Sequence, residues 1–435
     1  MTQRHALSDD EISSLSCVLD PASSRRSAEA LVEHYLARIA AREPEIHAWA
    51  WLDPIEIRRT ARENDAQAPR SYLQGLPIGI KDVIDTADMP TAYGSPIYAG
   101  HRPRTDAACV ALLRHHGAIL MGKTATTEFA AVEPATTVNP HDVSRTPGGS
   151  SSGSAAAVAD GMVWAALGTQ TAGSIIRPAS FCGCVGYKPT FGTINRAGLK
   201  PLSESTDTLG VFTRHVTDAG WLVALLAGRS ELQISDTLTR PPRFALCRTE
   251  CAEQAQPEAH AALDRMAAIA QAAGAEVIEY DMPPSIGDLN AAAMTILTTE
   301  ARQAFTPELL TRPELVSARL RQLLGAEAPD RRAYDLAQRT ATRAREAIGH
   351  LFAPDSVILT FSSAGEAPPG LASTGSPVFN HPWSLLHLPC LNLPGMTGPN
   401  GLPVGVQLVG AFRDDARLLQ AGAWLEARIR DTPVA

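Results

Sequence analysis

The chain has 435 residues, 45% of them hydrophobic, with 38 basic against 46 acidic side chains and a formal net charge of −8. That balance suits a soluble globular enzyme and disfavours a nucleic-acid surface. No run of 18 uncharged apolar residues occurs, so no membrane span is expected, and seven scattered cysteines suit reduced thiols in a cytoplasm.

Residues 1–65 read as helices. The first forty mix Asp9, Asp10, Glu11, Arg25, Arg26 and Glu29 with apolar positions, a surface-helix pattern without the apolar core of a signal peptide. Ala28 to Ala41 is strongly amphipathic. Over 66–240 strands and helices alternate, which predicts a sheet covered on both faces. Leu76 to Ile84 reads as a buried strand carrying Lys81. Asp106 to His116 reads as a helix ended by Gly117, and Ala118 to Met121 as a strand. The segment Gly148-Gly149-Ser150-Ser151-Ser152-Gly153-Ser154 is a poor helix and a poor strand. It leads into an apparent helix over Ala155 to Ala159, so Ser150 is expected near a helix N-terminus. Thr169 to Ala179 repeats the arrangement around Ser174. Residues 241–285 read as a βαβ unit, with strands Arg243–Cys247 and Glu276–Tyr280 flanking a helix over Pro257–Ala273. Residues 286–352 look like a helical insertion. Residues 353–435 return to the core: a long Gly/Pro/Ser-rich loop, Ser362 to Pro377, suits a pocket wall. After it come a hairpin turn at Asn400-Gly401, a strand Val404 to Val409 and a closing helix Asp414 to Ile429. The expected fold class is α/β: a single domain over 1–435 with a mixed, mostly parallel central sheet and helices on both faces.

Composition makes Lys81 conspicuous. The chain has four lysines, Lys81, Lys123, Lys188 and Lys200; arginine takes the other basic positions. Lysine is rarely buried without a task or a partner, and burial can strip its proton, which arginine never loses. A flexible Gly/Ser linker would not lie between apolar segments with a second serine turn behind it. Lys81, Ser150 and Ser174 together suggest nucleophilic catalysis: neutral Lys81 accepts a proton from Ser174 through the Ser150 hydroxyl. Neutrality near pH 7 requires the lysine pKa to fall by roughly 3 units, about 4 kcal/mol. The backbone N–H groups of Thr171, Ala172, Gly173 and Ser174 would then cradle the oxyanion.

These residues resemble the amidase signature hydrolases. The likeness runs from about Leu76 through Thr213 and returns in Phe379-Asn380-His381-Pro382-Trp383 and in Gly401 to Gln407. The resemblance implies a Ser–cisSer–Lys triad at Ser174, Ser150 and Lys81, and a cis peptide between Gly149 and Ser150. The 24 residues from Ser150 to Ser174 match the family spacing and select Ser150 over Ser151, Ser152 or Ser154 as the bridge. Gln170 stands where many members have aspartate, Ala172 where many have glycine, and Ala125 where asparagine is frequent. None of these removes a triad member.

Three other motifs compete. Gly117 to Thr124 fits G-x-x-x-x-G-K-[ST], yet its middle reads as strand, where a phosphate loop needs loop. Gly149 to Gly153 fits G-x-S-x-G but lacks the preceding strand. Cys182-Gly183-Cys184 and His115-His116 have no further ligands at zinc-like spacing, so no metal is expected, and the chemistry requires no cofactor.

The resulting expectation is hydrolysis of a linear amide, carbamate or urea-type small molecule through an acyl-enzyme. Thr169 would orient Ser150 or Ser174, Gln170 is a candidate substrate or support residue, and Arg177 would hold the loops or a substrate carboxylate. No nucleic-acid or membrane partner is expected, and a homodimer is allowed. The alternative is a glutamine-hydrolysing subunit of a tRNA-dependent amidotransferase, against which the acidic balance and the short chain lean.

Overall fold

The computed structural model describes residues 27–67, 71–234, 238, 240–282, 288–325, 330–349, 352 and 355–431; expectations for residues 1–26 fall outside these. Ser27 caps the first described helix, α1 (Ala28–Ile46), by accepting from Ala30 N at 3.0 Å. Where the sequence predicts helices alone to residue 65, Trp49–Leu52 forms an edge strand, β1, before α2 (Pro54–Asp65). Its four residues are too few for a period to show. They become a strand by pairing antiparallel with β3 (Ile119–Thr124).

The core continues with β2 (Pro77–Lys81), α3 (Ala108–His115) and β3, then α4 (Ser152–Ala159), β4 (Ala165–Gln170), α5 (Ile176–Cys182), β5 (Val185–Lys188), β6 (Thr208–Thr213) and α6 (Val216–Ala227). A βαβ unit follows: β7 (Arg243–Leu246), α7 (Pro257–Ala272) and β8 (Glu276–Glu279), the two strands parallel neighbours. The insertion comprises α8 (Leu289–Ala304), α9 (Thr306–Thr311), α10 (Ala318–Leu324) and α11 (Arg331–Ile348). The chain closes with β9 (Ser356–Phe361), α12 (His381–Leu385), β10 (Cys390–Thr397), β11 (Pro403–Val409) and α13 (Asp415–Asp431).

All eleven strands join one sheet in the order β1-β3-β2-β4-β6-β5-β10-β11-β9-β7-β8. Every residue of β2, β3, β4 and β6 is buried, which is why these segments read as continuous apolar runs without alternation. Successive β5 side chains show the two covered faces. A Cβ on Gly186 would press on Ala179 of α5, while Tyr187 reaches Asp415 of α13 on the other side, 2.7 Å away.

The sheet is mixed, but the expected parallel majority is absent. Four of its ten pairings are parallel and six antiparallel. Two parallel groups, β3-β2-β4 and β9-β7-β8, run in opposite directions and are joined by an antiparallel centre. There β6 inserts between β4 and β5, antiparallel to both, and the Asn400-Gly401 turn folds β10 onto β11. Short turns permit such pairings, whereas parallel neighbours need crossovers.

Candidate active site

Lys81 is the last residue of β2, and Thr169 and Gln170 end the parallel neighbour β4. Adjacent parallel strands therefore deliver these side chains to one end of the sheet. Lys81 is wholly buried; its Nζ lies 2.7 Å from Ser150 Oγ and 2.7 Å from Thr169 Oγ1. Burial pushes the lysine pKa well below its ordinary range, partly opposed by the negative charge of Asp207. Thr169, expected to orient one of the serines, bears directly on the lysine.

Ser150 follows a cis Gly149–Ser150 peptide. Gly148, at φ +83°, could not be replaced: a Cβ would approach Pro178 Cα to 2.8 Å. The other hydroxyls of the serine run serve the backbone. Ser151 Oγ donates to Thr169 O and accepts from Thr169 N, Ser152 Oγ reaches Ala125 O, and Ser154 Oγ donates to Leu167 O and meets Thr124 Oγ1. Within Ser150 to Ser154, the lysine contact belongs to Ser150.

The turn Thr171 to Ser174 joins β4 to α5. Its shape is set by Gln170, whose Oε1 accepts from Ile175 N at 2.8 Å and Ile176 N at 3.0 Å, while its Nε2 donates to Ser384 Oγ at 3.0 Å. Ser384 in turn donates to Ala172 O at 2.7 Å. On Gly173 a Cβ would come within 2.3 Å of Asn380 Oδ1, so only glycine fits. Among the described residues, the backbone N–H groups of Thr171, Ala172, Gly173 and Ser174 find no acceptor. Four adjacent free donors at one turn can accept an anion there. Ser174 is 7% exposed, and its hydroxyl makes no hydrogen bond among the described residues. Lys81, Ser150 and Thr169 are thus joined directly, and Ser174 stands free on the neighbouring turn.

Arg177 is buried, and Nη2 donates to Gly149 O at 2.7 Å and to Thr374 Oγ1 at 3.1 Å. Desolvation lowers its pKa to about 10. Among the described residues its Nε and Nη1 find no hydrogen-bond partner, and both are closed off from solvent; the contacts it does make fasten the loop before Ser150 to the 362–377 segment. That segment forms neither helix nor strand. With Val132, Arg319, Gln322 and Leu323, its residues Ser373, Thr374 and Gly375 line a cavity of about 410 Å³ beside Arg177.

Two neighbours receive no role from the sequence, although His381 lies in a segment that carries the resemblance. His381 is buried, and desolvation together with the Arg177 charge lowers it to about 4, keeping it neutral. Asp207 precedes β6 as a lone acid at a strand start; only its place between polar Thr206 and Thr208 and an apolar strand could have drawn notice. The competing motifs also resolve. Gly122 to Thr124 lie in β3, and Lys123 Nζ is buried on Ile84 O and Thr91 Oγ1 at 2.6 Å each, unlike a phosphate-loop lysine. Cys182 and Cys184 are buried with their thiol pKa values pushed up by desolvation. Among the described residues no three His, Cys, Asp or Glu side chains group as metal ligands, and no helix is long and apolar enough to cross a membrane.

Comparison with known proteins adds four findings. The family model described as Amidase matches residues 30–419. A glutamyl-tRNA(Gln) amidotransferase subunit from Oleidesulfovibrio alaskensis is 34% identical, over 94% of this chain and 95% of its own. Among solved structures, one described as an amidase superposes with a TM-score of 0.83 at 33% identity, covering 93% of this chain and 96% of that one. A second superposes with a TM-score of 0.85 at 29% identity, over 95% and 98%. It is described as an unexpected vestigial protein complex revealing the evolutionary origins of an s-triazine catabolic enzyme.

Proposed function

The chain belongs to the amidase family, its signature hydrolases, and from that membership we propose that it cleaves an amide-type carbon–nitrogen bond with Ser174 as nucleophile. Ser174 Oγ attacks the carbonyl carbon and passes its proton to Ser150 Oγ, whose own proton goes to Lys81 Nζ. The free N–H groups of Thr171 to Ser174 receive the oxyanion; one such donor is typically worth about 2.7–4 kcal/mol. The relay then returns a proton to the leaving ammonia or amine, and water releases the acyl group by the same steps.

The observation that carries this reading is the Lys81–Ser150 contact, a buried amine 2.7 Å from a hydroxyl with its proton affinity lowered by desolvation. Ser174→Ala is expected to abolish turnover in a folded protein. A fluorophosphonate should label the Ser174 peptide; an adduct on Ser151 would overturn the assignment.

For the amide donor, the curated relatives favour the alternative over a free-standing small-molecule hydrolase. Those relatives are named as one of the subunits of glutamyl-tRNA(Gln) amidotransferase and align over more than nine-tenths of both chains. On that reading the chain hydrolyses glutamine within a multisubunit enzyme, and tRNA is met in the assembly. That reading runs against the expectation of no nucleic-acid partner. The similarity to a structure tied to s-triazine catabolism supports a second reading, a small nitrogen-rich amide or urea-type substrate. Ammonia release from glutamine, compared with release from small urea-type amides, separates the two.

A further inference from the structure

Asp207 is buried immediately before β6 and has no part in the relay above. Its Oδ1 accepts from the Thr171 hydroxyl at 2.5 Å. Oδ2 accepts from Leu202 N at 2.8 Å and Ser203 N at 3.0 Å. Thr171 is the first residue of the turn with four free amides. Behind Asp207, Glu300 of α8 accepts from the Ser203 hydroxyl at 2.6 Å and from Ser205 N at 2.9 Å. The carboxylate is therefore anchored from the insertion and reaches the oxyanion turn through one side chain.

We propose that Asp207 is a positioning residue, holding the oxyanion turn through Thr171 and, when ionised, contributing negative charge at Lys81. The proposal rests on the roles given above to Lys81 and Ser174. A buried carboxylate needs hydrogen bonds or a counter-charge, and the groups facing this one are few. Lys81, on β2, feels its negative charge while its Nζ contacts Ser150 and Thr169. Arg196, whose Nη1 donates to Asp207 O at 3.1 Å, approaches from the preceding loop and is itself paired with exposed Glu204 at 3.6 Å. Arg177 is turned to Gly149 and Thr374, and Asp82 and Lys123 pair with each other at 3.5 Å. Burial raises Asp207 to about 6. Asp207 is also the charged neighbour that opposes the fall of the Lys81 pKa.

Asp207→Asn separates charge from geometry. The amide oxygen can still accept from Leu202 and Ser203, and the amide nitrogen can donate to the Thr171 hydroxyl. Removing the negative charge lowers the Lys81 pKa further, so the acid limb of kcat/KM against pH should move to lower pH, by about half a unit or more. Thr171→Val keeps the charge and loses the contact; kcat should fall at least about fivefold with the limb unmoved. A residue that merely supported the fold would lower amplitude without moving the limb. Both proteins are labelled with a fluorophosphonate. A Ser174 adduct in each, with an unmoved limb in Asp207→Asn, overturns the proposal alone. Absence of the adduct from the wild type overturns the nucleophile assignment and this proposal with it. If Asp207→Asn does not fold, Asp207→Ser carries the test: it removes the charge with a smaller side chain, so an acid limb moved to lower pH supports the proposal, and an unmoved limb overturns it.

Discussion

A lysine whose ammonium would be buried away from carboxylate contact is an expensive residue, and Lys81 is best understood by what its burial does to its proton. Its folded pKa is depressed, so between that value and the ordinary 10.5 the unfolded chain binds a proton that the folded chain does not. The contribution of Lys81 to stability is therefore favourable only at high pH and is lost as pH falls through the folded pKa. Lys81→Met removes this titration, so the variant should melt above wild type at pH 6, with the gap narrowing as pH rises toward 10; thermal melts across that range check it. The same substitution removes the base. Lys81→Met and Lys81→Arg should both lose at least about 10²-fold in kcat/KM, the lower end for general acid–base catalysis, because arginine stays protonated. The wild-type rate should rise with pH and level off once Lys81 is neutral. Near-wild-type kcat/KM in folded Lys81→Arg would show that charge alone is needed.

At the level of elements, the site is held by turns that begin where strands stop. Gln170 accepts from two successive N–H groups at the head of α5. Gln170→Ala strands both, and an unsatisfied buried donor costs about 1–3 kcal/mol; the melt should fall accordingly, with kcat reduced more than KM is raised. Lys123 in β3 makes the contrast. Buried beside Asp82, it holds the segment after β2 through Ile84 O and Thr91. Breaking a buried pair costs about 3–5 kcal/mol, so Lys123→Met should melt much earlier. The folded fraction should keep activity within about tenfold, since Lys123 moves no proton in the relay. Loss matching that of Lys81→Arg in folded protein would contradict this. The same contrast explains what is legible in the chain alone. A lysine in a buried strand and two serine turns stand out because their composition conflicts with their surroundings, and the Gly401 turn and the strands around it follow local rules. Trp49–Leu52 does not stand out, because four residues carry no period and its strand exists by pairing with β3. Nor do Asp207 or the partners of Ser151 and Ser154, which depend on which distant backbone groups the fold brings near. Strand direction is hidden for the same reason: β6 lies between β4 and β5 by tertiary pairing, and nothing local marks its orientation.

For the whole molecule, the question is whether it works alone. The chain carries a net charge of −8, and phosphate contacts require clustered Lys and Arg. Tight tRNA binding by this chain in isolation is therefore disfavoured, even if it serves a tRNA-dependent reaction; the nucleic acid would be held by companion subunits. The glutamine reading thus predicts a particular division of behaviour. Isolated chain should release ammonia from glutamine slowly and without response to added tRNA. Adding the companion subunits of an amidotransferase, with glutamyl-tRNA, should raise the Ser174-dependent rate at least about tenfold, the equivalent of roughly 1.4 kcal/mol of barrier. Coupled ammonia detection on wild type and Ser174→Ala, each with and without the companions, measures this. A chain that turns over a small urea-type amide alone, with kcat/KM above its best glutamine value in the full assembly, would instead establish a free-standing hydrolase. The four free N–H groups and the Lys81–Ser150 pair suit either acyl group. The choice therefore falls to side chains beyond the catalytic turns, and substitutions at Thr374 and Arg319 of α10, which line the cavity beside Arg177, test whether that cavity takes the acyl group.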